Sequence, residues 1–356
     1  MIKKTAKYSI IFVIFFFPEI ARLEEYYHSY SQIDRELHEI AIRHSNVSKI
    51  SSIGTTWEGR PIWILLVSDD TGPKPEILII GGHHAREWLT VEIPFLLAEY
   101  LTEYYGYDDR VTRIVRSMGI LIIPVLNPDG YEYSRTIDRN WRKNRRDNRD
   151  GTYGVDLNRN YSFEWGGKAS SILTSSDIYS GPAPFSELET RAVRDIIVER
   201  NIIAVIDFHC YGQLIKYPEE NIVMEEISFE MTDLIMNIHG KTYQATSYNI
   251  PLFGGSCTDW INGNGYGDAY LVELRPNGNT SEYPWLADYS AFEAPESEIL
   301  PVWEENRAAL LHIIERYAEI NPESQYADNT TPETGGSGCF ITSVSKNPFF
   351  VSEIRK

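Results

Sequence analysis

Apolar residues recur at helical spacing over residues 33–44, and two apolar runs, 50–53 and 61–68, flank Trp57-Glu58-Gly59-Arg60. This predicts a helix followed by two strands joined by a turn. A β-branched run over 77–80 stops at Gly81-Gly82 and leads into a long amphipathic helix over 91–105. The next strand, 119–125, ends in Asn127-Pro128-Asp129-Gly130, whose residue types read as a tight turn. Ser186-Glu187-Leu188-Glu189 has the spacing of a capping box, opening a helix that runs to Arg200 and feeds a strand over 202–208. A helix over 224–240, a glycine-rich loop, a strand over 269–274 and a helix over 298–320 complete the pattern. Such alternation predicts an α/β fold: a single domain with a mixed central β-sheet flanked by helices.

Composition narrows the picture. The chain has 356 residues, of which 42% are hydrophobic, enough for a large core. Its formal net charge of -18 argues against a nucleic-acid partner, because phosphate binding needs a concentrated basic face. The exception to the acidic balance is a basic cluster over 135–149. Lys3, Lys4 and Lys7 precede an apolar run over 8–17, then Pro18 and Ala21, which together read as a secretory signal peptide over 1–21. The run is too short to span a bilayer, so no membrane span is expected in the mature chain. The main domain is placed at 22–320, a flexible linker rich in Pro, Gly, Ser and Thr at 321–338, and a short tail at 339–356. The three cysteines, Cys210, Cys257 and Cys339, are too few for a disulfide-stapled fold despite the predicted export.

The residues able to do chemistry fall at strand ends and in loops. After the strand over 77–80, the glycines turn the chain sharply and present His84 and Glu87 together, as two protein ligands of a zinc ion. His83 is adjacent and competes with His84. His209 follows a second apolar strand and is a candidate third ligand if the two strands are neighbours. Glu273 lies in an otherwise apolar strand, where a carboxylate is costly unless it meets a cation or a donor. The loops carrying Asp138-Arg139-Asn140-Trp141-Arg142-Lys143 and Gly154-Val155-Asp156-Leu157-Asn158-Arg159-Asn160 supply guanidinium groups.

These motifs, with Asn127-Pro128-Asp129-Gly130, His209-Cys210-Tyr211 and Glu273-Leu274-Arg275, occur in an order and spacing similar to the zinc metallocarboxypeptidases of the pancreatic carboxypeptidase A/B type. The resemblance runs from about residue 26 to 320. It implies one zinc ion per chain, held by His84, Glu87 and His209 at the carboxyl ends of the strands. It implies hydrolysis of the C-terminal bond of peptides and proteins by a metal-activated water, with Glu273 as general base. Arg139 would stabilise the oxyanion. Arg159 with Asn158 would clamp the substrate's terminal carboxylate, Arg86 and Tyr211 would contact upstream residues, and Asp156 would orient His84.

Departures from the family's pattern shape further expectations. The predicted signal leads straight into the catalytic domain without the family's inhibitory prosegment. Tyr248 is the candidate for the family's mobile tyrosine, although the usual count from Trp260 lands on Pro251. Thr258 occupies the pocket position before Asp259-Trp260, and Glu220, eleven residues beyond His209, falls where some relatives carry a pocket acid. Glu220 tilts the expectation toward basic C-terminal residues, ahead of apolar or aromatic ones. Cys210 and Cys257 are expected either to bond to each other or to be two buried thiols. The tail around Gly338-Cys339-Phe340-Ile341 is similar to short endings of some exported bacterial proteins. The overall expectation is a secreted monomer, or a periplasmic or surface one in a bacterium. The alternatives are a cell-wall peptide or glutamyl-chain hydrolase on the same scaffold, and an inactive surface-binding module.

Overall fold

The β-branched runs assemble into an eight-stranded sheet in a computed structural model that describes residues 26–69 and 72–321. The predicted signal over 1–21, the linker beyond Asn321 and the tail lie outside the described residues. The chain opens with α1 (Tyr30–Arg43), β1 (Ser48–Thr55), β2 (Pro61–Val67) and β3 (Glu76–Ile80). Then come α2 (Leu89–Tyr104), α3 (Asp109–Ser117), β4 (Gly119–Ile123), α4 (Pro128–Thr136), α5 (Leu188–Glu199) and β5 (Ile202–Cys210). The last elements are β6 (Leu214–Pro218), α6 (Ile222–His239), β7 (Gln244–Tyr248), α7 (Cys257–Asn264), β8 (Asp268–Leu274) and α8 (Ile299–Ile320).

The strand order is β1-β2-β4-β3-β5-β8-β6-β7. The four central strands β4, β3, β5 and β8 run parallel, while β1 and β2 on one side and β6 on the other join antiparallel. Parallel strands are covered on both faces, which is why their sequences are nearly unbroken apolar runs. Every residue of β4 is buried, as is every residue of β3 after Glu76. Ile77, Ile79, Phe208 and Cys210 face a core closed by α2, α6 and α8, whereas Leu78, Ile80, Val205 and Ala269 face a second core closed by α5 and α7. Cys210 and Cys257 thus lie in cores on opposite faces of the sheet, and both are free thiols. Stability rests on burial, about 1.5–3 kcal/mol for each fully buried Leu, Ile or Phe.

The mixed sheet with flanking helices matches the expectation, but four local readings change. Asn127-Pro128-Asp129-Gly130 starts α4 instead of forming an isolated turn. Asn127 is the N-cap, its Oδ1 accepting from the Gly130 amide at 3.0 Å, and Pro128 takes the first helical position. The Ser186–Glu189 capping box does not form, because its acids are recruited elsewhere. Ser186 donates to Glu187, and Asn144 Nδ2 donates to Glu187 at 2.8 Å and Glu189 at 3.2 Å, tying the basic loop to the start of α5. Helix α2 is buried on all sides over its first ten residues, 89–98, instead of presenting a polar face. Finally α3, β6, β7 and α7 escape the hydrophobic pattern; β7, Gln-Ala-Thr-Ser-Tyr, is a short polar edge strand.

Glu189 is fully buried, and burial followed by the neighbouring Glu187 raises its pKa to about 8. An unfolded glutamate ionises near 4.3, so between those values the native state holds a proton that the unfolded chain lacks. Stability is therefore complete below the unfolded value and declines as pH rises toward 8. Glu189→Gln removes the titration, so thermal unfolding at pH 5 and 8.5 should show a smaller fall in melting temperature for the variant than for the wild type. Equal falls would contradict this assignment.

Candidate active site

Three parallel strand ends bring the chemistry together. Beyond β3, Gly81 lies so close to α2 that a Cβ would stand 2.0 Å from the Thr90 carbonyl, and only glycine fits. The chain then turns, with the Glu87 amide donating to the His84 carbonyl at 3.2 Å, so that both side chains face one point. In the neighbouring strand β5, Ile80 pairs with Asp207, which carries His209 just past the end of β3. Glu273 of β8 is the direct register partner of His209.

The first three groups converge. His84 Nδ1 is 2.8 Å from Glu87 Oε1, and His209 Nδ1 is 3.2 Å from both His84 Nδ1 and Glu87 Oε2. All three side chains are buried. The far nitrogens are held by carboxylates: His84 Nε2 lies 3.2 Å from Asp156 Oδ1, and His209 Nε2 lies 3.0 Å from Asp207 Oδ2. An acid beside each Nε2 fixes the ring so that Nδ1 faces inward. Two Nδ1 atoms and a carboxylate facing one another in a dry site fit a divalent cation with nitrogen and oxygen ligands. A second grouping, His83, Asp207 and His209, also has metal-compatible spacing. There, however, Asp207 bridges the two histidines: its Oδ1 lies 2.8 Å from His83 Nδ1, while His83 Nε2 meets the Tyr161 hydroxyl at 2.9 Å. His83 therefore faces away from the His84–Glu87 pair.

The electrostatics of the protein alone follow from these contacts. Burial works against the charge on Glu87, and His84 and His209 override it, holding the carboxyl well below the usual range. Burial is likewise overridden at Asp156 by Arg142 and His84, and at Asp207 by His83 and His209. Burial and the nearby Arg142 charge lower His84, so its ring is neutral and ready to ligate. At Glu273 burial dominates, partly offset by His209, and the pKa rises to about 7.

The guanidinium groups are distributed differently from expectation. Arg139 is turned away from the ligand set: it donates to the Arg86 carbonyl at 2.8 Å and to the Phe292 carbonyl, and stacks 3.7 Å over the Trp88 ring. Arg142 lies at the centre instead. Its Nε and Nη2 grip Asp156 Oδ2 at 3.1 and 3.0 Å, and its Nη1 is 3.8 Å from Glu87 Oε1. The loop places the two basic residues three positions apart, and only contact with Asp156 distinguishes them. Arg159 is buried beside Asn158, held by the Ala169 carbonyl at 2.8 Å and the Asn158 carbonyl at 2.5 Å, with Phe253 stacked 4.4 Å below it. Asn158 joins the Arg159 loop to the His209 ring, its Nδ2 lying 3.1 Å from His209 Nε2 and its Oδ1 accepting from the Cys257 amide at 2.8 Å. The loop before α7 passes so close that a Cβ on Gly255 would lie 2.3 Å from the Arg159 carbonyl.

The remaining candidates are more peripheral. Arg86 and the exposed Tyr211 both pack on Phe292, forming a surface beside the site. Thr258 is buried in the first turn of α7. Tyr248 does not behave as a free tyrosine: it ends β7, is buried, and points its hydroxyl at Asn262, 3.4 Å away. Glu220 is exposed in the turn after β6, at a φ of 69°. Asp207 was not singled out from sequence, although an acid in an apolar strand is the same signal that marked Glu273.

The zinc carboxypeptidase family model matches residues 33–309. Among similar proteins, carboxypeptidase B of Astacus astacus is 34% identical over 295 residues, covering 78% of this chain and 93% of that one. Carboxypeptidase A2 of Mus musculus is 31% identical over 302 residues, 81% of this chain and 70% of that one. The crystal structure of thrombin activatable fibrinolysis inhibitor superposes with a TM-score of 0.76 at 31% identity, over 83% of this chain and 75% of that one. Carboxypeptidase A from Helicoverpa armigera superposes at 0.69 with 27% identity, over 82% and 74%.

If Asp156 and Asp207 orient the two histidines, Asp156→Asn and Asp207→Asn should each weaken zinc binding about 10–100-fold. Arg139→Ala should leave it unchanged. Competition with a chromophoric chelator measures all three, and unchanged affinity in both Asn variants would refute the arrangement.

Proposed function

The chain belongs to the zinc carboxypeptidase family, and we propose that it removes C-terminal residues with His84, Glu87 and His209 as the zinc ligands and Glu273 as general base. Membership makes it a zinc-dependent C-terminal exopeptidase acting on peptide substrates. The observation that carries the residue assignment is Glu273 itself: a carboxylate beside His209 in register, with a buried Oε2 that has no hydrogen-bond partner among the described residues. A buried acid left uncommitted beside a ligand set is suited to taking and returning a proton.

Zinc, when bound, supplies a Lewis acid that acidifies water and polarises the scissile carbonyl. Glu273 takes a proton from the attacking water and delivers it to the leaving amine. Arg142, beside Glu87 and fixed by Asp156, stabilises the negative charge that develops on the carbonyl oxygen, the role first expected of Arg139. Arg139 becomes a positioning residue, joining the Arg86 backbone to the Phe292 loop. Arg159 and Asn158 bind the substrate's terminal carboxylate through directed, charge-assisted contacts, which restricts attack to the last bond. Arg86 and Tyr211 contact residues further up the peptide.

The same reading places a signal segment at 1–21, the catalytic domain at 22–320, a linker at 321–338 and a tail at 339–356. It makes the enzyme an exported monomer. No helix among the described residues is long and apolar enough to cross a membrane.

Mass spectrometry of peptide digests tests the function. Single C-terminal residues should be lost from free-acid peptides, not from C-terminal amides, and chelation should abolish the loss. Internal cleavage, or equal cleavage of amides, would overturn the clamp. Glu273→Gln should retain zinc while kcat falls about 10²–10⁴-fold. Arg142→Ala should lower kcat about 10²–10³-fold, well beyond the effect of Arg139→Ala. The reverse ranking of the two arginines would restore the original assignment.

A further inference from the structure

Resting on that reading of the site, we propose that Lys216 makes the enzyme selective for an acidic terminal residue, aspartate or glutamate. Strand β6 runs antiparallel beside β8, with Leu214 opposite Glu273 and Lys216 opposite Leu271. Side chains two apart on a strand share a face, so Glu273, Leu271, Leu214 and Lys216 all project from one side of the sheet. That side is the one covered by α7, where Trp260 and Ile261 pack with Val205 and Ala269.

The two ends of the terminal residue constrain where its side chain goes. Its carboxylate meets Arg159, beside Asn158 and the start of α7, while its scissile carbonyl lies near Glu273 and the ligand set. On that reading the side chain extends over the sheet face between α7 and strands β8 and β6, toward Leu271 and Lys216. Successive same-face positions on a strand are about 7 Å apart, a distance that the side chains of lysine and glutamate span together.

Lys216 is half-buried and forms no ion pair among the described residues. Its charge lies near enough to Glu273 to favour the ionised carboxylate. Neither Asp259 nor Glu220 forms an ion pair with Lys216. Asp259 is occupied by the Leu252 and Phe253 amides, at 3.0 and 2.8 Å, and by the Ser256 hydroxyl at 2.6 Å, and Glu220 is exposed in the turn beyond β6. An unpaired ammonium at the side of the pocket repels lysine or arginine and attracts a carboxylate. This reverses the basic preference that Glu220 suggested from sequence.

The test compares kcat/KM for blocked dipeptides that differ only in the last residue: Glu, its isostere Gln, Lys and Leu. The wild type should prefer Glu to Gln by at least about tenfold. Lys216→Met should collapse that ratio toward one while Leu hydrolysis and zinc content hold, and Lys216→Glu should raise hydrolysis of the Lys peptide. A wild-type ratio at or below one, or a ratio that survives Lys216→Met, would overturn the proposal. Failure of the zinc-loaded enzyme on all four peptides would instead overturn the catalytic reading beneath it.

Discussion

Two imidazole nitrogens and a carboxylate held face to face in a dry interior make the constraint on which this molecule turns. His84 Nδ1 and His209 Nδ1 stand 3.2 Å apart, each within reach of Glu87, and Asp156 and Asp207 hold the opposite nitrogens. With three buried acids around two rings, a cation supplies the missing positive charge, since breaking up a buried charge cluster typically costs several kcal/mol. The Asp207 bridge to His83 and the Arg142 grip on Asp156 extend this network outward until each ligand is fixed by a second contact.

The rest of the fold serves that geometry. Parallel strands β3, β5 and β8 end together, so the proposed ligands from two of them and the proposed base from the third need no long loops to meet. The irregular segment over 137–187 crosses above them and carries Arg142, Asp156, Asn158 and Arg159. Its rigidity comes from Asn144, which accepts from the Val155 amide at 2.8 Å and donates to Glu187 and Glu189 at the start of α5. A loop able to hold guanidinium groups within ångströms of a reacting bond must be anchored in this way, because small misplacements sharply reduce rate.

Much of this was legible in the amino-acid sequence. The β-branched runs revealed the central strands because burial on both faces leaves no polar positions. His84, Glu87 and Glu273 stood out as polar residues where apolar strands end or run. Roles decided by long-range contact were not legible. Arg139 and Arg142 are equivalent in a list of residues, and only Asp156, brought from the following loop, separates them. Ser186 has the spacing of a cap, but Glu187 and Glu189 are claimed by Asn144. Short polar β7 carries no hydrophobic signal, and the place of Lys216 on the same sheet face as Glu273 appears only once β6 is seen beside β8.

Diffraction from zinc-loaded crystals at energies spanning the zinc absorption edge locates the metal among these groups. One anomalous peak is expected, bonded to Nδ1 of His84, Nδ1 of His209 and the Glu87 carboxylate, with Asp207 still bridging His83 and His209. A peak between Asp207, His83 and His209 instead, or ligation through the Nε2 atoms, would contradict this ligand set.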